Sequence, residues 1–299
     1  MIKLINRKYY TDRITPFIGK NIIKVLTGQR RVGKSCILRQ IQEHIEHTDS
    51  TCNTICINKE FEEFAFIRTH EDLTKYVADR LKEGRANYLF IDEVQDIKGF
   101  ENTLRSFQAQ DACDIFITGS NATMLSSELS TYLSGRYVEF RIHSLSYEEF
   151  MEFNHQTHST QTLRNYLTFG GLPYLSNLPL QSDIVFEYLR NVYSTILLKD
   201  VVKRENIRNV DFLESLALYT ADNVGNLFSA NNISRYLKSQ RVNISPLQVI
   251  NYLKAMQNAF LINKVRRIDV NGLKTFEIGD KYYFEDLGLR NCHFGFNMQ

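Results

Sequence analysis

Proline is scarce in this chain, with four residues in 299, and tryptophan is absent altogether. No Pro-, Gly- or Ser-rich tract is long enough to act as a linker, so domain boundaries are short wherever they fall. The five cysteines (Cys36, Cys52, Cys56, Cys113, Cys292) include no Cys-x-x-Cys pair and no secreted disulfide spacing. Cys52 and Cys56 lack a second Cys or His pair at zinc spacing, and His44 and His47 do not form a His-Glu-x-x-His motif. Free thiols suit a reducing cytosol. The first eight residues contain no apolar signal core, and no later run approaches the roughly 18 apolar residues of a membrane span. A soluble, cytoplasmic chain without a membrane partner is therefore expected. A net charge of +2 leaves no whole-chain electrostatic bias towards nucleic acid or membrane.

What is present reads as two or three domains of ordinary globular composition, with 43% hydrophobic and 23% charged residues. That is enough apolar material for a core that needs neither disulfides nor structural metal. The first half alternates apolar runs with amphipathic stretches. Strands are expected at 22–26, 55–57, 88–91, 114–118 and 137–142, and helices at 36–47, 71–82, 101–110 and 124–133. Strand followed by helix, repeated, implies an α/β domain with a parallel sheet flanked by helices.

Gly28-Gln29-Arg30-Arg31-Val32-Gly33-Lys34-Ser35 matches Gly-x-x-x-x-Gly-Lys-Ser/Thr in full, after a β-branched strand and before a helix. Glycines let such a loop wrap closely, and its N–H groups, continuing to Cys36 in the first helical turn, hold phosphate oxygens. Lys34 is placed for the β- and γ-phosphates of ATP, and the Ser35 hydroxyl for Mg2+. Tyr88-Leu89-Phe90-Ile91-Asp92-Glu93 is an apolar strand ending in two acids. Asp92 suits the metal's water shell and Glu93 suits polarisation of an attacking water as general base. Residues 114–118 form another apolar strand, running into Gly119-Ser120-Asn121. In P-loop ATPases with a catalytic Glu, the strand between the P-loop strand and the acidic strand ends in a polar sensor. Ser120 or Asn121 fits that role, and Asn121 equally fits a helix cap. Arg136 precedes the strand at 137–142; it reads either as an arginine acting on a neighbouring subunit's site, which requires an oligomer, or as a cation at a helix C-terminus. No Asn-Lys-x-Asp motif for guanine occurs.

The second half is different. Helical periodicity dominates from 162 to 258, and strand signals return at 261–267 and 273–278, joined by an Asn271-Gly272 turn. Ser245-Pro246 opens a helix with Leu247, Ile250, Leu253 and Met256 expected on one side. Helix, helix and two-stranded wing is the order of a winged helix-turn-helix. Residues 199–275 carry 12 Lys/Arg against 6 Asp/Glu, an excess that suits contact with DNA phosphates, while a protein partner is the competing reading.

Four stretches resemble the AAA+ superfamily: 24–35 (KVLTGQRRVGKS), 90–95 (FIDEVQ), 117–136 (ITGSNATMLSSELSTYLSGR) and 166–175 (YLTFGGLPYL). More narrowly, the pattern is similar to bacterial and archaeal ATPases with an AAA domain followed by a DUF4143 domain. The resemblance implies a nucleotide domain at 1–150, a helical lid at 151–205 and a winged-helix domain at 206–299. It also implies a sensor role for Ser120 or Asn121, an arginine finger at Arg136, and a Gly-Gly-Leu-Pro element whose Pro173 packs near adenine. No sensor-2 arginine is evident in the lid, which puts lid-coupled hydrolysis in doubt. Longer relatives continue into a nuclease-like segment not found before Gln299, so no nuclease activity is expected. The expected function is hydrolysis of ATP to ADP and phosphate as a conformational switch. The alternative is a nucleotide-gated scaffold with negligible turnover. The extra domain and the paired Asp92-Glu93 argue against a small-molecule kinase.

Overall fold

The computed structural model describes residues 5–122, 133, 135–239, 242–266 and 280–294. The chain divides into two compact units, Met1–His143 and Ser144–Gln299.

The first unit is built on five strands: β1 (Ile23–Thr27), β2 (Asn53–Asn58), β3 (Asn87–Asp92), β4 (Asp114–Gly119) and β5 (Tyr137–Arg141). Their order is β2-β3-β4-β1-β5, and every neighbouring pair is parallel. A parallel sheet is covered on both faces, and accordingly all of β1 is buried. Helices α1 (Lys8–Ile14), α2 (Lys34–Thr48), α3 (His70–Ala78) and α4 (Phe100–Ala109) belong to the same unit. Ile37, Ile41 and Ile45 are buried along α2 at four-residue spacing, while Arg39, His44, Glu46 and His47 are exposed. Thr69 and Asp72 start α3 with a reciprocal capping box. That helix ends at Ala78, short of the expected 82. Because β4 lies between β1 and β3, the C-terminal ends of the three strands sit side by side, with Thr27 level with Gly119. The helix expected at 124–133 lies outside the described residues except for Leu133.

The opposite, N-terminal edge of the sheet holds a buried ion pair. Lys24, on the interior strand β1, is fully buried and donates to Asp114 Oδ1 and, at 2.9 Å, to the Lys20 carbonyl. Asp114 Oδ2 accepts the Gly19 N–H at 2.8 Å, and the Lys24 ammonium lies 4.8 Å from the Phe116 ring centroid. Burial pushes Lys24 down and Asp114 up, and each partner opposes that shift in the other. A cleft of about 430 Å³ lined by Asn87, Tyr88, Cys113 and Asp114 opens on this edge, away from the ends of the strands that carry the motifs.

The second unit is mostly helical: α5 (Tyr147–Phe153), α6 (Thr160–Phe169), α7 (Ser182–Thr195), α8 (Val210–Asp222), α9 (Ala230–Ser239), α10 (Pro246–Asn258) and α11 (Leu287–Phe294). Helix α7 continues as a π-helical stretch, Ile196–Lys203. Ser245 caps α10 reciprocally with Gln248, with Pro246 in the first turn, as the Ser-Pro signal predicts. Strands β6 (Ile262–Val265) and β7 (Lys281–Phe284) pair antiparallel. The partner of β6 is thus 281–284, whereas the expected strand at 273–278 and the Asn271-Gly272 turn lie outside the described residues. A second expectation is corrected in α10. Its buried stripe is Val249, Leu253 and Met256, at helical spacing, while Leu247 and Ile250 face out at 66% and 51% exposure. No helix among the described residues is long and apolar enough to cross a membrane.

Removing one member of the Lys24–Asp114 pair strands a buried charge. Asp114→Ala is expected to destabilise the chain by about 3–5 kcal/mol, and Lys24→Met with Asp114→Leu by much less. Urea unfolding of both variants checks this, and a mild Asp114→Ala phenotype would contradict it.

Candidate functional site

The loop from β1 to α2 is shaped by residues that tolerate unusual backbone. Gly28 has φ 144°, and a Cβ there would strike the Ile142 carbonyl oxygen. Ile142 itself donates to the Thr27 carbonyl at 2.7 Å, so the loop root is packed backbone against backbone. Gly33 caps α2 with φ 95°, and Arg31, which is exposed, adopts φ 72° without being glycine. Gln29 and Val32 are buried. Lys34 is also buried, and its Nζ donates to the carbonyls of Gly28 and Gln29, both at 3.0 Å. The loop therefore closes around its own ammonium, and the first turn of α2, with Ser35 and Cys36 exposed, presents N–H groups that have no intrahelical acceptor.

The acidic pair lies across from this loop. Thr118 Oγ1 donates to Asp92 Oδ1 at 2.5 Å and accepts the Glu93 N–H at 3.0 Å. Burial pushes the Asp92 carboxyl above its ordinary value, opposed by hydrogen bonds from Thr118 and Ser35. A desolvated carboxylate bonded to a hydroxyl is an all-oxygen pair that suits a hard divalent cation. Among the described residues no cluster of three or more His, Cys, Asp or Glu side chains could hold a metal, so any ion here would draw its other ligands from water and phosphate.

Glu93 adopts a left-handed backbone, φ 55° and ψ 52°, and its side chain is buried. Ser120 Oγ donates to Glu93 Oε2 at 3.0 Å, and the Gln95 amide donates to the same oxygen. Burial pushes this carboxyl up, but Lys34, Gln95, Arg30 and Ser120 together outweigh it and hold it below its ordinary value. Glu93 is thus a buried carboxyl, 8% exposed, held below its ordinary value by Lys34 and its hydrogen-bond partners at the end of β3.

The remaining sequence candidates are distributed more widely. Asn121 is buried directly after Ser120, while the segment it was expected to cap lies outside the described residues. Arg30 lies 3.9 Å from Glu60. Arg136 is exposed and precedes β5, whose first residue is level with Ile23 and whose last is level with Thr27. It therefore stands about 16 Å along the sheet from the loop end of its own strands. Pro173 belongs to the second unit, where it starts a short 3-10 turn, Pro173–Asn177.

Two further residues were not singled out from sequence. Thr118 positions both acids, and its signal is register: β3 and β4 pair Ile91 with Ile117, which puts the next residue of β4 beside Asp92. Arg7 is buried, and its Nη1 donates to the Val32 carbonyl at 2.9 Å and the His143 carbonyl at 2.8 Å. Nothing local in the sequence marks it.

Residues 20–151 match the AAA domain family, and residues 160–299 match a domain of unknown function, DUF8612, which replaces the expected DUF4143. An uncharacterized protein of Haemophilus influenzae is 32% identical over 300 residues, covering 98% of this chain and 74% of that protein. An uncharacterized protein of Methanocaldococcus jannaschii is 30% identical over 257 residues, covering 81% of this chain and 56% of its own length. Among solved structures, the Aeropyrum pernix ORC1 protein in complex with DNA is similar at a TM-score of 0.42 and 11% identity, covering 97% of this chain and 92% of that one. The Thermotoga maritima RuvB Holliday junction branch migration motor gives 0.43 and 12%, covering 87% and 90%. AMPPCP-bound DnaA from Aquifex aeolicus gives 0.39 and 12%, covering 86% and 88%.

Thr118→Val keeps the shape of the side chain and removes both of its hydrogen bonds at the acids. It is expected to cost about 1–3 kcal/mol in urea unfolding, with Thr118→Ser recovering much of the loss. A Val variant as stable as the parent would show that Thr118 does not hold the acids.

Proposed function

This chain belongs to one family with the Haemophilus influenzae protein and carries an AAA domain at residues 20–151, and we propose that it binds ATP and hydrolyses it to ADP and phosphate as a conformational switch. The observation that carries this reading is the buried Glu93 carboxyl, held below its ordinary value by Lys34, facing a loop whose helix N-terminus is open to phosphate.

In this reading the N–H groups of 28–36 cradle the phosphates, and Lys34 leaves the Gly28 and Gln29 carbonyls to meet the β- and γ-oxygens. Ser35 and Asp92 would hold Mg2+, which would supply charge neutralisation on the phosphates. Glu93 accepts the proton of a water whose oxygen bonds to the γ-phosphorus as the bond to the ADP oxygen breaks. Ser120 keeps the Glu93 carboxylate oriented, and Asn121 is assigned to the attacking water or the γ-phosphate. The distance of Arg136 from its own loop supports a role at the site of a neighbouring copy. It also supports the competing reading, in which an isolated chain binds ATP but turns over very slowly.

The second unit is proposed to act as a lid, 151–205, and a winged helix-turn-helix, 206–299, with Pro173 near the adenine. Exposed Arg235, Lys238, Lys254 and Arg266 support DNA contact, and exposed Leu247 and Ile250 on α10 support a protein partner instead. Phosphate release by wild type and Glu93→Gln, with and without duplex DNA, tests the proposal. Glu93→Gln is expected to be about tenfold or more slower. Equal turnover by the two proteins would remove Glu93 from the mechanism. Stimulation by DNA that fades with added salt would favour the nucleic-acid partner.

A further inference from the structure

We propose that helix α10 enters the major groove of duplex DNA and reads A·T base pairs there, with Asn251 specifying adenine. This rests on the nucleic-acid reading of the second unit and is independent of ATP chemistry.

The charge pattern points to a polyanion. From Asn223 to Ile268 the chain runs 46 residues without one Asp or Glu, and it carries seven Lys/Arg and eleven Asn/Gln there. That stretch supplies α9, α10 and β6. Cations and amides without carboxylates suit a partner with phosphates outside and both donors and acceptors on its base edges. An anionic bilayer would use the cations and the apolar side chains but not the amides. Arg235, Lys238, Lys254 and Arg266 are exposed, whereas Lys264 is paired with Asp280 at 2.5 Å.

Helix α10 is held firmly from behind. Val249, Leu253 and Met256 are buried, and the Tyr252 hydroxyl accepts the Asn209 N–H at 3.3 Å. The Tyr252 ring lies 5.1 Å from that of Phe212 in the first turn of α8. On α9, Ser234 Oγ donates to the Ile244 carbonyl at 2.6 Å, just ahead of the α10 cap. Glu205 meets the helix at its last residue, accepting the Asn258 amide at 2.8 Å, so that carboxylate stays at the C-terminal end.

The opposite face is open and chemically specific. Leu247, Ile250, Asn251 and Lys254 follow i, i+3, i+4, i+7 spacing, so they share one face, and all four are exposed. Among the described residues, the Asn251 and Lys254 side chains meet no hydrogen-bonding or charged partner. A helix about 10–12 Å across fits a major groove about 12 Å wide. Adenine presents an acceptor and a donor there, which one Asn amide matches, and thymine presents a methyl group, which apolar side chains match. Asn251 flanked by Leu247 and Ile250 is that combination. The four residues include no aromatic ring on which an unpaired base could stack, which favours duplex over single strand. Lys254, two turns on from Leu247, is assigned to phosphate together with Arg235, Lys238 and Arg266.

Fluorescence anisotropy of the full chain, without nucleotide, on short duplexes of alternating A·T or alternating G·C tests the assignment. Wild type is expected to bind the A·T duplex about tenfold or more tightly. Asn251→Ala loses that preference and keeps its affinity for G·C. Replacing thymine by uracil removes the methyl and weakens wild type, but leaves the Leu247→Ala, Ile250→Ala double variant unchanged. Lys254→Ala weakens both duplexes alike and lowers the salt slope by about one. Equal affinity of wild type for the two duplexes, or a preference that survives in Asn251→Ala, would overturn the base reading and leave DNA contact standing. Binding to neither duplex would remove the nucleic-acid reading as well, and capture by phosphatidylserine vesicles in its place would give the face to a bilayer.

Discussion

A lysine ammonium buried in the loop that precedes it must find oxygen acceptors or be expelled. Lys34 meets this demand with the carbonyls of Gly28 and Gln29, and the electrostatics of the neighbouring strand ends follow from it. The positive charge helps hold the Glu93 carboxyl below its ordinary value despite its burial, and it opposes the upward push of burial on Asp92 one residue earlier. The sheet order serves the same end. Only with β4 between β1 and β3 do Thr118 and Ser120 come within reach of both acids. Strain is stored where these demands meet, in the left-handed backbones of Arg31 and Glu93.

The parts of this arrangement that the sequence disclosed are those carried by neighbours along the chain. The loop from Gly28 to Ser35 and the Tyr88-to-Glu93 strand each place chemistry within a few consecutive residues, and the parallel sheet follows from alternating strand and helix signals. Thr118 and Arg7 escaped because their partners are distant in sequence: Thr118 acts through strand register, and Arg7 reaches Val32 and His143 from a separate helix entry. Lys24 was read only as part of a strand, since nothing local says that its ammonium ends against Asp114 in a dry interior.

The second unit was less legible. Apolar spacing identified α10 but misjudged which of its stripes is buried, because Leu247, Ile250, Leu253 and Met256 spread too far around the helix to form one face. A four-residue strand such as Lys281–Phe284 carries too little pattern to stand out from a helical background. The open side of α10 joins apolar Leu247 and Ile250 to Lys254, a mixture that suits a partner reading both shape and charge.

The central claim is that Lys34 exchanges its own loop's carbonyls for the phosphates of ATP. Calorimetric titration of wild type and Lys34→Ala with ATP and Mg2+ tests it most directly. The account predicts saturable binding by wild type and an affinity at least about tenfold weaker for Lys34→Ala. Equal affinities, or no binding by the wild-type chain, would contradict it.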